Sequence, residues 1–330
     1  MSDSGGLRNS SNNTVDLKVI ASGTEVRAEG GYSDPRSSVA RLVVNENDTA
    51  TGPGLFKDAY DELELTFDPD ERILWYYMRP KGRPSFTHTL LRDIRHLQLQ
   101  VAAAFEGAKS LEDAPLRYLV AASVLPQTFN LGGDLSLLGS LVRAKDRIGL
   151  EEYARACIDV LYGNMVALDL PLVTVSLVRG HALGGGFEAA MSSNVLIAEE
   201  QARFGLPEVL FNLFPGMGAY SMLARRIGQV EAERMIVSGK TYSAGELHEM
   251  GIVDVLTAEG EGERKLYEFV AQRNRRYNSH LAIYQARKRY ARLSHEELSD
   301  ITAIWVSAAL NLSTADLRRI DRLASSQDRL

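Results

Sequence analysis

Twice in this chain an unbroken apolar run leads into a glycine-rich turn that opens a helical stretch. The first run is Tyr118-Leu119-Val120-Ala121-Ala122-Ser123, followed by Phe129-Asn130-Leu131-Gly132-Gly133-Asp134 and then Leu135, Leu137, Leu138 and Leu141 at helical spacing. The second is Leu172-Val173-Thr174-Val175-Ser176-Leu177-Val178, followed by Gly180-His181-Ala182-Leu183-Gly184-Gly185-Gly186-Phe187-Glu188. A strand that is apolar on both faces must be covered on both faces, which is the situation of parallel strands in an α/β fold. The order strand, glycine turn, helix therefore predicts βαβ-type units on a mostly parallel sheet. The turns lack the GxGxxG spacing of a dinucleotide site.

Around these units the pattern is regular. Leu63, Leu65 and Phe67 alternate, turn residues Asp68 to Asp70 follow, and a run from Ile73 to Met78 completes a strand–turn–strand. Leu90, Leu91, Ile94, Leu97 and Val101 predict a helix over 87–105, a further helix is expected over 150–169, stopped by Pro171, and the chain reads as helical from Lys265 onward. Residues 1–61 are rich in Ser, Asn, Gly and Asp and are expected to form a poorly ordered extension, ahead of a core over 62–264 and a helical region over 265–330.

With 45% apolar and 24% charged residues, the 330-residue chain has the material for a sizeable core. A net charge of -6 gives no global attraction to nucleic acid or to an anionic membrane. Its apolar runs are too short and too interrupted to cross a bilayer. Cys157 is the single cysteine, so no internal disulfide forms, in keeping with a reducing cytoplasm. The six histidines show no ligand spacing with acidic or cysteine partners, so no metal is expected.

The chemistry concentrates at the glycine turns. Glycines between a strand and a helix let a ligand lie against the backbone and leave N–H groups free for a negatively charged oxygen. Tight helix–strand packing explains the triple glycine alone equally well. A second such turn at Gly132 and Gly133 makes it possible to aim two N–H groups at one carbonyl oxygen, as enolisation or attack of a thioester requires. Glu188 and Glu208 stand 20 residues apart, 208 - 188, with a strand-like stretch over 194–198 between them. Carboxyls among apolar neighbours are pushed up in pKa, which suits proton transfer near neutrality.

Gly184-Gly185-Gly186-Phe187-Glu188, the segment Phe204-Gly205-Leu206-Pro207-Glu208 and Phe214-Pro215-Gly216-Met217-Gly218-Ala219 together resemble the crotonase (enoyl-CoA hydratase/isomerase) superfamily. Residues 129–135, 183–190, 205–211 and 213–221, with Ile304-Trp305-Val306, resemble its diffusible signal factor synthases, bacterial enzymes of quorum sensing that make cis-2-unsaturated fatty acids. Arg83-Pro84-Ser85-Phe86 stands where an ordinary crotonase has an Asn-Ala-type loop that receives CoA.

The resemblance implies an α/β fold with a crotonase-like ββα spiral core and a C-terminal helical region. It assigns Glu188 and Glu208 as the acid/base pair and the N–H groups of Gly133 and Gly185 as the oxyanion hole. Gly132, Leu183, Gly184, Met217, Trp305 and Leu310 are candidates to contact the acyl substrate, although a bulky residue such as Trp305 on an amphipathic helix is as readily explained by core packing. The implied activity is dehydration of a 3-hydroxyacyl chain on acyl carrier protein, followed by thioester hydrolysis. No cofactor is implied, since the acyl chain arrives on the carrier's phosphopantetheine or on CoA. The rival readings are a 2-enoyl-CoA hydratase/isomerase without thioesterase activity, and a regulator that binds the receiver domain of a sensor histidine kinase with weak catalysis. A homo-oligomer, trimer or hexamer, is expected by analogy. Arg273, Arg275, Arg276, Arg287, Lys288, Arg289 and Arg292 make the late helices basic, either to receive an acidic carrier protein or as a solvated face.

Overall fold

The computed structural model describes residues 59–327. Of the expected N-terminal extension only 59–61 fall within it. Tyr60 is buried and its hydroxyl donates to Gln100 Oε1 at 2.7 Å, so the chain is attached to the fold by that point.

Among the described residues ten strands form two sheets. The large sheet contains β1 (Leu63–Asp68), β2 (Ile73–Met78), β3 (Tyr118–Ser123), β5 (Val173–Val178), β7 (Val195–Glu199) and β10 (Val255–Thr257), in that order. Only β1 pairs antiparallel, Leu63 opposite Met78; the remaining neighbours are parallel, with Tyr118 opposite Val173 and Val175 opposite Val195. Every residue of β3, β5 and β7 is buried, which is what their unbroken apolar runs require. The small sheet contains β4 (Thr128–Asn130), β6 (His181–Leu183), β8 (Arg203–Gly205) and β9 (Thr241–Ser243). Its first three strands are parallel, with Thr128 opposite His181 and His181 opposite Arg203.

Three successive turns of the spiral, β3–β4, β5–β6 and β7–β8, thus lay one strand in the large sheet, one in the small sheet, and then a helical segment. The helices that follow the small strands are α2 (Leu135–Ala144) and α3 (Arg147–Met165) after β4, α4 (Gly185–Met191) after β6, and a short 3-10 turn, Pro207–Phe211, after β8. The mixed α/β architecture with a crotonase-like ββα spiral and a C-terminal helical region is the one expected. The first helix, α1 (His88–Ala104), begins at Thr87, whose side chain accepts from the Leu90 N–H.

Two expectations need correcting. The helix placed at 150–169 begins three residues earlier, capped by Asp146, and ends at Met165. Ala167, Leu168 and Asp169 take positive φ of 49–57°, so the chain leaves the helix well before Pro171. The segment 181–183, within the stretch expected as a glycine-rich turn, is a short strand, because a three-residue strand carries too little alternation to stand out; 203–205 is a short strand as well.

The large sheet is covered on one face by the principal core, which includes Leu90, Leu97, Phe187 and Phe204. On its other face a second cluster joins Val120, Val175 and Ile197 to Leu266, Phe269 and Val270 of α8 (Gly262–Asn274) and to Tyr277 and Leu281 of α9 (Tyr277–Tyr290). A third cluster binds α2 and α3 to α10 (His295–Leu310) and α11 (Thr314–Gln327). The C-terminal helices are therefore packed on the spiral at two separate places. No described helix is long and apolar enough to cross a membrane.

Candidate active site

Because β4, β6 and β8 are parallel neighbours, the chain leaves all three at the same edge of the small sheet. That edge, at the carboxyl ends of parallel strands, is where α/β folds gather ligand-binding loops. Gly132 and Gly133 follow β4, Gly184 to Glu188 follow β6, and Glu208 follows β8. The topology brings together residues that are far apart in sequence.

The two glycine turns touch. A Cβ on Gly185 would lie 3.4 Å from Gly132 Cα and 3.5 Å from Gly133 N, and a Cβ on Gly132, whose φ is +90°, would lie 2.8 Å from Gly185 N. Backbone atoms and the positive φ exclude a side chain at Gly132, while at Gly185 it is the Met217 thioether that occupies the space. The carbonyl of Gly132 accepts from the Phe86 N–H at 2.7 Å, and in a trans peptide the following N–H, that of Gly133, points the opposite way. Gly184 O likewise accepts from Phe187 and Glu188, at 2.9 and 3.1 Å, which turns the Gly185 N–H away from the helix. Neither Gly133 nor Gly185 donates its N–H to an acceptor among the described residues. Two adjacent unpaired amide donors make an oxyanion-binding geometry.

The glutamates flank this pair. Glu188 is 1% exposed, and its Oε1 accepts from the Met217 and Ala219 N–H groups, both at 2.8 Å. Burial pushes its carboxyl up to about 7, while those two amides pull in the opposite direction. Burial and then the Glu188 charge push Glu208 up to about 8. Glu208 as a whole keeps some exposed surface, yet its Oε2 is sealed from solvent and has no hydrogen-bond partner. The immediate surroundings of the carboxyl, not the exposed stem, set its proton affinity. A Cβ on Gly184 would lie 2.5 Å from Glu208 Oε1, and Gly184 has φ +52°. The glycine thus brings the second carboxyl against the backbone of the first.

The remaining candidates divide. Met217 Sδ covers Gly185, only 2.4 Å from where a Cβ would be, and half-buried Leu183 ends β6 with its Cδ2 3.5 Å from a Cβ built on Gly205. Both stand at the site. Trp305 is one step removed: its indole lies on Gly216, where a Cβ would meet Cδ1 at 2.5 Å. Leu310 packs in the helical cluster with Leu138, Val142 and Val306, and its carbonyl accepts from Lys145 Nζ at 2.6 Å, so the structure does not bring it to the glutamates. Of the basic residues, Arg287 caps the Asn194 carbonyl at 2.5 Å, Lys288 caps that of Val166, and Arg273 stacks on Phe269. Arg275, Arg276, Arg289 and Arg292 are exposed. Among the described residues no cluster of three or more His, Cys, Asp or Glu is placed to hold a metal ion.

Sequence reasoning missed the backbone anchors of Glu188. Met217 stood out only as an apolar candidate; the glycines on either side of it, Gly216 and Gly218, were the available sign of a loop that must approach something closely.

Residues 88–308 match the family Enoyl-CoA hydratase/isomerase. The chain belongs to that family. A Mycobacterium bovis relative, "Probable enoyl-CoA hydratase echA8", is 34% identical over 147 residues, which are 44% of this chain and 54% of the relative. The chain thus spans about half the length of the first curated relatives it matches. Among solved structures, enoyl-CoA hydratase from Bacillus halodurans superposes with a TM-score of 0.65 at 18% identity, covering 79% of this chain and 100% of that one. Human mitochondrial delta3-delta2-enoyl-CoA isomerase superposes with the same score, 0.65, at 16% identity, over 82% and 99% of the two chains. At such identities the likeness speaks to the fold of this family member.

Proposed function

We propose that the protein adds water to, and removes it from, acyl thioesters at C2 and C3, with Glu188 and Glu208 as the acid/base pair and the Gly133 and Gly185 N–H groups holding the thioester oxygen. The observation that carries this is the convergence of two buried carboxyls, raised to about 7 and about 8, on two unpaired amide donors. Two carboxyls whose surroundings separate their proton affinities divide the acid and base roles between them. The amides of Met217 and Ala219 favour charge on Glu188, and that charge keeps the proton on unpartnered Glu208. This resting state is ready for hydration. Glu188 takes a proton from the attacking water, the new C3–O bond forms, electrons move from the C2–C3 double bond toward the carbonyl oxygen, and Glu208 delivers a proton to C2. Dehydration is the reverse.

A narrower reading, diffusible signal factor synthesis, is favoured by the sequence segments 129–135, 183–190 and 205–221 and by Arg83-Pro84-Ser85-Phe86. In it the substrate is a 3-hydroxyacyl chain on acyl carrier protein, and a glutamate then activates water against the same polarised carbonyl to release the free cis-2-enoic acid. Exposed Arg275, Arg276, Arg289 and Arg292 give the carrier's acidic surface a counterpart. The test is incubation with 3-hydroxydodecanoyl carrier protein and, separately, with a 2-enoyl-CoA, followed by mass spectrometry. Free 2-enoic acid that is lost in Glu188→Ala and Glu208→Ala supports the narrower reading. Hydration and dehydration without release restrict the protein to hydratase chemistry, and no turnover of either thioester refutes both.

A further inference from the structure

Beside the oxyanion geometry stands a buried hydroxyl outside the acid/base pair, 3.5 Å from where a Cβ on Gly133 would be. Tyr153 of α3 is 4% exposed, and its hydroxyl donates to the Phe86 carbonyl at 2.7 Å while accepting from the Asp134 N–H at 2.8 Å. Phe86 and Gly133 form an isolated parallel bridge, in which the Phe86 N–H reaches the Gly132 carbonyl at 2.7 Å. In an uninterrupted parallel bridge, Asp134 N–H would return the second bond directly to Phe86 O. Here the phenol stands between them and relays it. The peptide on either side of Gly133 is thereby fixed: Gly132 O by Phe86, Asp134 N by Tyr153.

Further bonds hold the same turn, with Gly132 N–H on Asn130 Oδ1 at 2.7 Å and Leu131 N–H on Pro84 O at 2.7 Å. None of these acts on the C-terminal side of Gly133. A tyrosine hydroxyl can donate once and accept at the same time, which a phenylalanine, a leucine or a methionine filling the same space cannot do.

We propose that Tyr153 is a positioning residue for the oxyanion hole, its hydroxyl setting the direction of the Gly133 N–H. The inference rests on the reading of the site as a thioester-binding one. Burial holds the Tyr153 hydroxyl well above its ordinary pKa, so it remains a donor across the working pH range.

The test compares Tyr153→Phe with Tyr277→Phe. Tyr277 is also buried, and its single hydroxyl hydrogen lies between two backbone carbonyls, those of Arg117 and Pro171, each 3.0 Å away, but it lies in the cluster on the far face of the large sheet. Both changes keep the ring and so keep the core filled. Turnover of a 2-enoyl-CoA is measured together with the ultraviolet enolate band of bound acetoacetyl-CoA, which reports polarisation of the thioester oxygen without turnover. Tyr153→Phe is expected to lower kcat about 10-fold to 100-fold, somewhat less than deleting an oxyanion donor outright, with KM within about twofold and a weakened enolate band. Tyr277→Phe is expected to lower the melting temperature and leave both readouts unchanged. If Tyr153→Phe retains full kcat and the full band, or if Tyr277→Phe loses as much of either, the positioning role is refuted. A wild-type protein that neither turns over the thioester nor perturbs acetoacetyl-CoA refutes the site reading itself, which is a distinguishable result.

Discussion

Glu188→Gln exposes what the site demands of the fold. The amide is nearly isosteric, and its oxygen can still accept from the Met217 and Ala219 N–H groups, so the loop that anchors residue 188 stays in place. The substitution removes a buried group that must ionise. Moving the carboxyl from 4.5 to about 7 corresponds, at about 1.4 kcal/mol for each tenfold change in proton affinity, to about 3 kcal/mol. The folded state holds this proton more tightly than the unfolded chain does. The contribution to stability is therefore fully present below pH 4.5 and is lost as pH rises through about 7. Glu188→Gln has no such loss. Relative to wild type it should gain stability progressively between about pH 4.5 and pH 7 and keep a constant advantage above that, about 3 kcal/mol, or about 6–12 °C in Tm for a domain of this size. Urea unfolding at a series of pH values measures the gap, and the same preparation should show kcat reduced about 10²-fold to 10⁴-fold. A gap that stays constant from pH 5 to 9 would refute the claim that Glu188 is held buried against its ionisation.

The pH dependence of kcat/KM for hydration should be bell-shaped, falling below about 7 as Glu188 takes up a proton and above about 8 as Glu208 loses one; a profile that is flat from pH 6 to 9 counts against the pair. Gly184→Ala sets a Cβ 2.5 Å from Glu208 Oε1 at a φ of +52°, so kcat should fall at least about 100-fold while steady-state unfolding shows a loss of only about 1–2 kcal/mol. Gly216→Ala drives a Cβ into the Trp305 indole; overpacking should cost about 1–3 kcal/mol and, by disturbing the Met217 and Ala219 amides, move the acidic limb of the rate profile to higher pH. An unchanged limb would show that the two amides do not hold Glu188 ionised.

The parts of the fold legible in the sequence are those whose period or continuity is unambiguous. The apolar runs of β3 and β5 are fully buried, and the leucine spacing of α1 puts Leu90, Leu91, Ile94 and Leu97 in the core. The small sheet was not legible. His181–Leu183 and Arg203–Gly205 are three residues each, and their pairing is set by the large strands that precede them. The site residues could be named because the two glycine turns and the two glutamates match the motifs of the family the chain resembles; glycine alone marked only that two backbones approach closely there. The identity of the backbone donors was hidden, since any residue supplies an N–H and nothing in Met217 or Ala219 announces that theirs would face Glu188. Trp305 was read as a candidate for the acyl pocket because bulk on a helix does not reveal which surface it meets; that surface is Gly216.

That contact couples two parts of the chain that a domain boundary near residue 265 would separate. α10 lays Trp305 on Gly216 and Leu298 against Gly218, where a Cβ would meet Leu298 Cδ2 at 2.9 Å, and its Thr302 hydroxyl, 2.8 Å from the Leu298 carbonyl of its own helix, also lies 3.3 Å from the Gly216 carbonyl. The loop so held carries both amides that bond Glu188. The two hydrogen bonds that favour charge on Glu188 in the spiral therefore hang on a loop that a helix more than a hundred positions later packs against. Ile304 stands 62% exposed on that helix, so the same element that packs against the anchoring loop also presents an apolar side chain to solvent.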